Sequence, residues 1–432
     1  MEASGAGLWL APEEFAAVSE KYALAGEPGA GDRLGRGSYG AVASAVERAT
    51  GARVALKWLV ITDADGAAAA LRELVCLQGL RDANSNSNSN SNSGVVQLRD
   101  AFCARVWKAR EGAGAGHDAL VLVTAAAFDD LSGTLARAHR VGAAVPAVGY
   151  ARQLLRALAF LHAAGVAHLD VKPHNVLVFE RGCLELCDFG LADVGVSDWR
   201  MVQTVWWRAP EYVLGGRRPH SRIIGPRALA AAADVWSAGC VVYELLAAAA
   251  GAAERVLFPQ SGGPAALFRA RLEAVGPPPG ATAAQLPQIY ARLEARIEDE
   301  RSDSGAATAA PESEDADFAA IRQLWLEPAP TLPARAAALV AAAPAGDRPA
   351  LAALAALLPR LLAFDPADRI RAAAALIAPP FREAPADLTA LDAAGQAAGA
   401  RFAGAHSQFA ALQQNKGEPL DVILRQIKKL IT

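Results

Sequence analysis

Apolar positions along the chain change period several times, and the changes outline its elements. Val54 to Val60 is an apolar run interrupted mainly by Lys57, which predicts a strand. From Ala67 to Leu80, Leu71, Leu74, Val75 and Leu77 recur at helical spacing and predict a helix. Val96 to Phe102 and Ala119 to Thr124 read as strands on either side of a glycine-rich loop. Beyond them the pattern turns helical, so a domain boundary is placed near Ala127. Tyr150 to Ala164 sets Leu154, Leu155, Leu158 and Leu161 on one face. Two short apolar runs follow at Val176 to Phe179 and Leu184 to Cys187. The remainder reads as mostly helical, except Pro277 to Pro344, whose Pro, Ala and acidic residues predict loops and short helices. From Leu420 onward, Ile423, Leu424, Ile427, Leu430 and Ile431 continue one helical face, which predicts core packing or docking of the tail rather than a dedicated partner site.

Other segments carry no such pattern. Residues 1–24 read as an N-terminal extension, and order is expected from about residue 25. The Asn-Ser alternation of residues 84–93 has no apolar side chain to bury and reads as a flexible surface insertion. The chain has 432 residues, 53% hydrophobic and 20% charged, with a net charge of -3. That is globular composition, and the lack of a basic excess argues against nucleic acid as a direct partner. Much of the apolar fraction is alanine, as in Ala67–Ala70 and Ala247–Ala250. The five cysteines are scattered and form no C-x-x-C pair, so neither a disulfide framework nor a zinc site is encoded. The N-terminus carries Glu2, Glu13 and Glu14 and does not read as a signal peptide. The longest apolar run, Val235 to Ala253, includes Glu244 and follows Asp234, so it reads as a buried core helix rather than a membrane span. The expectation is a soluble intracellular protein with no membrane association, in the cytoplasm, the nucleus or both.

Candidate chemistry concentrates in two places. Leu34-Gly35-Arg36-Gly37-Ser38-Tyr39-Gly40-Ala41-Val42 places glycines where backbone amides can approach phosphate oxygens without a side chain in the way. It is followed by Val54-Ala55-Leu56-Lys57, an apolar strand bearing a lysine. The denser segment is His168-Leu169-Asp170-Val171-Lys172-Pro173-His174-Asn175-Val176-Leu177-Val178, with Asp188-Phe189-Gly190 after it. Two carboxylates and a carboxamide supply the oxygen donors that magnesium prefers, and the lysine can neutralise phosphate charge.

In the order of these motifs the chain resembles the eukaryotic protein kinases over roughly residues 30–382. Glu73, Ala209-Pro210-Glu211, Asp234-Val235-Trp236-Ser237 and Arg369 extend the resemblance. It implies an α+β, bilobal protein kinase fold: a β-rich N-lobe with one main helix (25–127) and a mainly α-helical C-lobe (128–382), with a helical insert around 257–345 and a C-terminal tail (383–432). It implies ATP and magnesium as cofactors. Lys57 paired with Glu73 would hold the α- and β-phosphates, Asn175 and Asp188 would bind magnesium, and Asp170 would accept the substrate hydroxyl proton. Leu34, Val42, Ala55 and Leu177 would wall the nucleotide pocket, with Thr124 as gatekeeper, the backbone of Ala125 and Ala127 as hinge, and Asp130 near the ribose. Lys172 in Asp-x-Lys-x-x-Asn is similar to the Ser/Thr class. Thr204-Val205-Trp206-Trp207-Arg208-Ala209-Pro210-Glu211 and Leu362–Arg369 resemble the cyclin-dependent and MAP kinase group, closest to the cyclin-dependent kinases. Thr204 would then sit on the substrate side. Arg208 would help shape a pocket for proline after the phosphoacceptor, and a cyclin-like activating subunit would be a partner. A pseudokinase scaffold that binds partners without transfer is the alternative, and an enzyme acting on a small molecule or lipid is another.

The departures matter as much. Leu169 replaces the arginine that usually precedes the catalytic aspartate, and Asp193 stands where a second arginine is frequent, leaving Arg72 of that cluster. A phosphate on the loop after Gly190 would meet Asp193 and Asp198, so activation is expected not to depend on phosphorylation at Ser197, with Trp199 packing the loop instead. Ala67–Ala70 replace the more distinctive residues of the cyclin-contact helix. Ser38 and Tyr39 occupy positions phosphorylated for inhibition in the resembling family, and they read equally as a turn residue and a packing aromatic. Cys187 reads as a packing residue.

Overall fold

The computed structural model describes residues 2–3, 8–10, 12–24, 33–37, 40–85, 93–108, 116–193, 203–215, 226–259, 262–304, 311–414 and 420–431. The chain divides into two units. The first comprises Met1–Asp130, Leu177–Val196 and Ala397–Thr432. Its elements are β1 (Glu2–Ala3), β2 (Leu8–Leu10), α1 (Pro12–Lys21), β3 (Tyr22–Leu24), β4 (Arg33–Gly37), β5 (Gly40–Glu47), β6 (Arg53–Ile61), α2 (Ala64–Ser85), β7 (Asp100–Lys108), β8 (His117–Ala125), β9 (Asp129–Asp130), β10 (Val176–Val178) and β11 (Leu184–Leu186). The main sheet runs β1-β2-β7-β8-β6-β5-β3, with β4 also paired to β5, and every pairing is antiparallel.

Period-two alternation on β6 decides where the chemistry points. Val54, Leu56 and Trp58 are each fully buried on one face, where they pack with Val18, Tyr22, Val121 and Val123. Lys57 is thereby left to the opposite face, beside Val42 and Leu122 in the register. On α2, Leu71, Leu74, Val75, Leu77 and Leu80 are buried. Residues 1–24, expected as an extension, instead supply β1 to β3 and α1 to this unit. The first stretch of this unit ends at Asp130. The β7 strand starts at Asp100, not Val96; Val95 makes only an isolated bridge with Leu186.

The second unit comprises Leu131–Val176 and Ser197–Gln396. It holds α3 (Leu131–Val141), α4 (Ala147–Ala163), α5 (Pro210–Leu214), α6 (Pro226–Ala249), α7 (Pro264–Val275), α8 (Leu286–Ser304), α9 (Pro311–Leu326), α10 (Leu332–Ala342), α11 (Arg348–Leu361) and α12 (Ala372–Ile377). Helix α6 is long and apolar enough to cross a bilayer, but its apolar stretch is 89% buried, so it serves as the core helix expected from the sequence. It packs against α4 and α11. The Pro- and acid-rich stretch forms longer helices than its composition suggests. Leu286, Ile289, Leu293 and Ile297 lie at helical spacing on α8 and bury against Phe268, Ile321 and Trp325. Helix α13 (Pro385–Gln414) runs through the boundary after Gln396, and α14 (Leu420–Ile431) belongs to the first unit. The tail is therefore not a free appendage: Glu383 accepts bonds from Arg152, at 2.7 Å, and from Arg156.

Candidate functional site

In the first unit, Lys57 is the centre of a charged cluster. Its Nζ donates to Glu73 Oε1 and Oε2 of α2 at 2.7 and 2.8 Å and to Asp188 Oδ1 at 2.8 Å. The Glu73 side chain is only 4% exposed. Burial pushes the Glu73 carboxyl up to about 7, against the pull of the Lys57 ammonium. For Lys57 burial works downward, but Glu73 and Asp188 outweigh it and hold the ammonium above its ordinary value. A lysine kept protonated, with carboxylates on both sides, is suited to phosphate oxygens. Asp188 itself sits at φ 69°, in the left-handed region, just before the buried Phe189. Cys187, half-buried, has its thiol pushed up first by burial and then by Asp188, as befits a packing residue.

Around this cluster, β4 and β5 bring Gly37 opposite Gly40 and Gly35 opposite Val42. Ala55 pairs with Thr124, and Ala125 with Val54. Leu177 pairs with Asp130 on β9. The side chains of Leu34 and Arg36 and all of Ser38 and Tyr39 lie outside what is described, as do residues 86–92, Ser197, Asp198 and Trp199. Arg72, the survivor of the arginine cluster, donates to the Gly190 carbonyl at 2.6 Å.

In the second unit a hydrogen-bond network closes on Asp170, which is 7% exposed. Lys172 Nζ donates to Asp170 Oδ2 at 2.8 Å and to Thr204 Oγ1 at 2.9 Å. Thr204 Oγ1 in turn donates to Asp170 Oδ1 at 2.7 Å. Asn175 Nδ2 donates to the Asp170 carbonyl at 2.8 Å and to Oδ2 at 2.9 Å. With its amide protons directed at Asp170, Asn175 has Oδ1 to offer a hard cation.

The loop that presents Asp170 is fixed from below. Asp234, fully buried on α6, accepts the His168 N–H at 2.8 Å and the Leu169 N–H at 2.7 Å, and lies 3.0 Å from His162 Nε2. Leu169 is buried at φ 59°, so the residue in the arginine's place packs into the core in a strained left-handed backbone.

A site residue that sequence reasoning missed is Gln203. It is buried with φ 68°. Its side chain donates to Ala233 O and Ser237 Oγ at 3.1 and 2.9 Å and accepts the Ala209 N–H at 3.0 Å. Its carbonyl is taken by Arg208, from Nε at 3.2 Å and Nη2 at 2.9 Å. No signal in the sequence separates a buried, left-handed Gln from a solvated one. Farther on, Arg369 clasps Glu211 at 2.7 and 3.1 Å and so anchors the Ala-Pro-Glu segment.

A family model described as "Protein kinase domain" matches residues 30–256. The chain belongs to the protein kinase family. The antiparallel sheet of the first unit and the helices of the second are the bilobal α+β kinase fold. Among curated relatives, this kinase is 36% identical over 225 residues to the protein named "Putative cyclin-dependent kinase F-2" of Oryza sativa subsp. japonica, covering 50% of this chain and 61% of the relative. It is 33% identical over 221 residues to cyclin-dependent kinase 20 of Homo sapiens, covering 50% and 55%. It is 32% identical over 219 residues to cyclin-dependent kinase D-1 of Oryza sativa subsp. japonica, covering 49% and 44%. The match thus spans less than two thirds of each relative's length, and over that stretch the chain is similar to these cyclin-dependent kinases.

Proposed function

We propose that the chain is an ATP-dependent Ser/Thr protein kinase of the cyclin-dependent-kinase type that prefers proline directly after the phosphoacceptor. The network around Asp170 carries the reading. A carboxylate held by Lys172, Asn175 and Thr204 would receive the proton of a substrate hydroxyl as that oxygen bonds to the γ-phosphorus and the bond from γ-phosphorus to the β,γ-bridging oxygen breaks, releasing ADP. Lys172 stands ready to meet charge on the transferred group. Lys57, held by Glu73, takes the α- and β-phosphates, and Gly35, Gly37 and Gly40 lend backbone N–H groups to the phosphates. The main chain of Ala125 and Ala127 reads adenine, between the apolar walls named above. Asn175 and Asp188 would hold magnesium, which when bound neutralises charge on the phosphate oxygens.

The proline preference is supported by Gln203. Its left-handed backbone goes with a carbonyl consumed by Arg208, so that acceptor is withdrawn from an incoming peptide. A substrate residue with an N–H would lose its water partner there and gain none, whereas proline has no N–H to satisfy. The test is an arrayed peptide phosphorylation screen on the full chain. Phosphate on Ser and Thr with enrichment of proline at the next position supports the reading, and Arg208→Gln should flatten that enrichment. Transfer only to lipid or small-molecule acceptors, or nucleotide binding with no transfer to any acceptor, would replace it.

A further inference from the structure

The helix that carries Glu73 is held on two sides. One side is the Lys57 ion pair. The other is the C-terminal segment of the same chain: Gln78 Nε2 donates to the carbonyl of Leu430, 352 residues later, at 2.9 Å. Ile423 and Ile427, one helical turn apart on α14, are buried, and α14 packs on α2 and β7. Lys428 Nζ lies 3.8 Å from Asp118 Oδ1 at the start of β8.

An independent observation comes from Gly79. A glycine inside a helix ordinarily weakens it relative to alanine. Here a Cβ at Gly79 would fall under 3.0 Å from three ring carbons of Phe402, and Phe402 is 1% exposed. The missing side chain makes the seat for the ring. Gln78 and Gly79 are neighbours on α2, about one and a half turns beyond Glu73.

We infer that α14 and the stretch of α13 around Phe402 form an intramolecular clamp on α2, with Phe402 and Ile427 as positioning residues that hold Glu73 in register with Lys57. The chain thereby forms this pair without a separate activating subunit. In the single chain, with the tail docked, the pair is already closed at 2.7 Å. The inference rests on the phosphate-holding role proposed for Lys57 and Glu73.

The experiment uses the full chain as Gly79→Ala, Phe402→Ala, the double variant, Ile427→Asp and Ile427→Leu. Amide exchange across residues 64–85 is measured beside kcat and KM for ATP and for a Ser-Pro peptide. The clamp predicts faster exchange in α2 and a loss of about tenfold in kcat/KM for ATP, a size common for coupling between two sites, in Gly79→Ala and Ile427→Asp. It predicts little change in peptide KM, near-parental behaviour of Ile427→Leu, and a double variant no worse than its worse single. Unchanged α2 exchange or unchanged kcat/KM for ATP in Gly79→Ala would overturn it, as would additive losses or an unmodified chain active only with an added subunit. If Ile427→Asp fails to fold, Gly79→Ala decides. If the unmodified chain neither binds ATP nor transfers phosphate, the functional reading fails, while the exchange comparison still decides the clamp.

Discussion

Replacing Asp234 by Asn changes one buried carboxylate oxygen into an amide nitrogen. The carboxylate accepts the N–H groups of His168 and Leu169 at 2.8 and 2.7 Å and has no solvent to fall back on. After Asp234→Asn, one of those backbone donors faces an NH2 group instead of an acceptor. A hydrogen bond to a charged group contributes about 1.5–3 kcal/mol, and a buried donor left unsatisfied costs about 1–3 kcal/mol. The two descriptions overlap, so the expected loss is about 2–4 kcal/mol, a large share of the ~5–15 kcal/mol that holds a folded protein together. The left-handed backbone at Leu169 itself costs about 1–2 kcal/mol. With one bond gone, that strain favours relaxation of the loop presenting Asp170. Urea titration should show the destabilisation. Steady-state kinetics on the folded fraction should show kcat down by at least about tenfold, the equivalent of about 1.4 kcal/mol, with KM for ATP little changed. An Asp234→Asn protein within about 0.5 kcal/mol of the parent and with parental kcat would refute the role given to this carboxylate.

Burial pushes the carboxyl of Glu244 up to about 8, although the Trp207 indole donates to it at 2.6 Å. The folded chain therefore keeps a proton that the unfolded chain releases above the ordinary value of 4.5. The stability from this group is complete below that pH and is lost as pH rises toward 8. Glu244→Gln should be more stable than the parent at pH 8 by on the order of a few kcal/mol and similar near pH 4; a lower urea midpoint at pH 8 would contradict this. Thr204→Val leaves Lys172 and Asp170 without the hydroxyl that joins them and should lower kcat about tenfold, a cost of about 1–2 kcal/mol, while Thr204→Ser restores it. Equal kcat for the Val and Ser variants would remove Thr204 from the site.

The site was legible where chemistry is crowded into consecutive residues. The segment from His168 to Gly190 and the apolar alternation around Lys57 correspond to a loop, short strands and β6 as expected. Helix α2 extends the predicted 67–80 to Ala64–Ser85, and α4 is Ala147–Ala163 against the predicted Tyr150–Ala164. What escaped depends on partners distant in sequence. Leu8–Leu10 is too short to show a period, and it becomes a strand because β7 pairs with it. On α8, charged residues between the apolar ones hid a stripe whose partners lie on α7 and α9. The amphipathic stretch from Leu420 was legible as one that packs or docks, but the seats of α14 on Gln78 and of Phe402 on Gly79 were not, since a helical glycine shows its purpose only when Phe402 is beside it.

The most direct measurement is transfer of γ-phosphate from magnesium-ATP to a Ser-Pro peptide by the purified full chain, paired with Asp170→Asn. The account predicts stoichiometric, acid-stable phosphate on the serine, lost in the Asn variant while nucleotide binding by calorimetry persists. A folded chain that shows no ATP affinity, or equal transfer by both proteins, would contradict it.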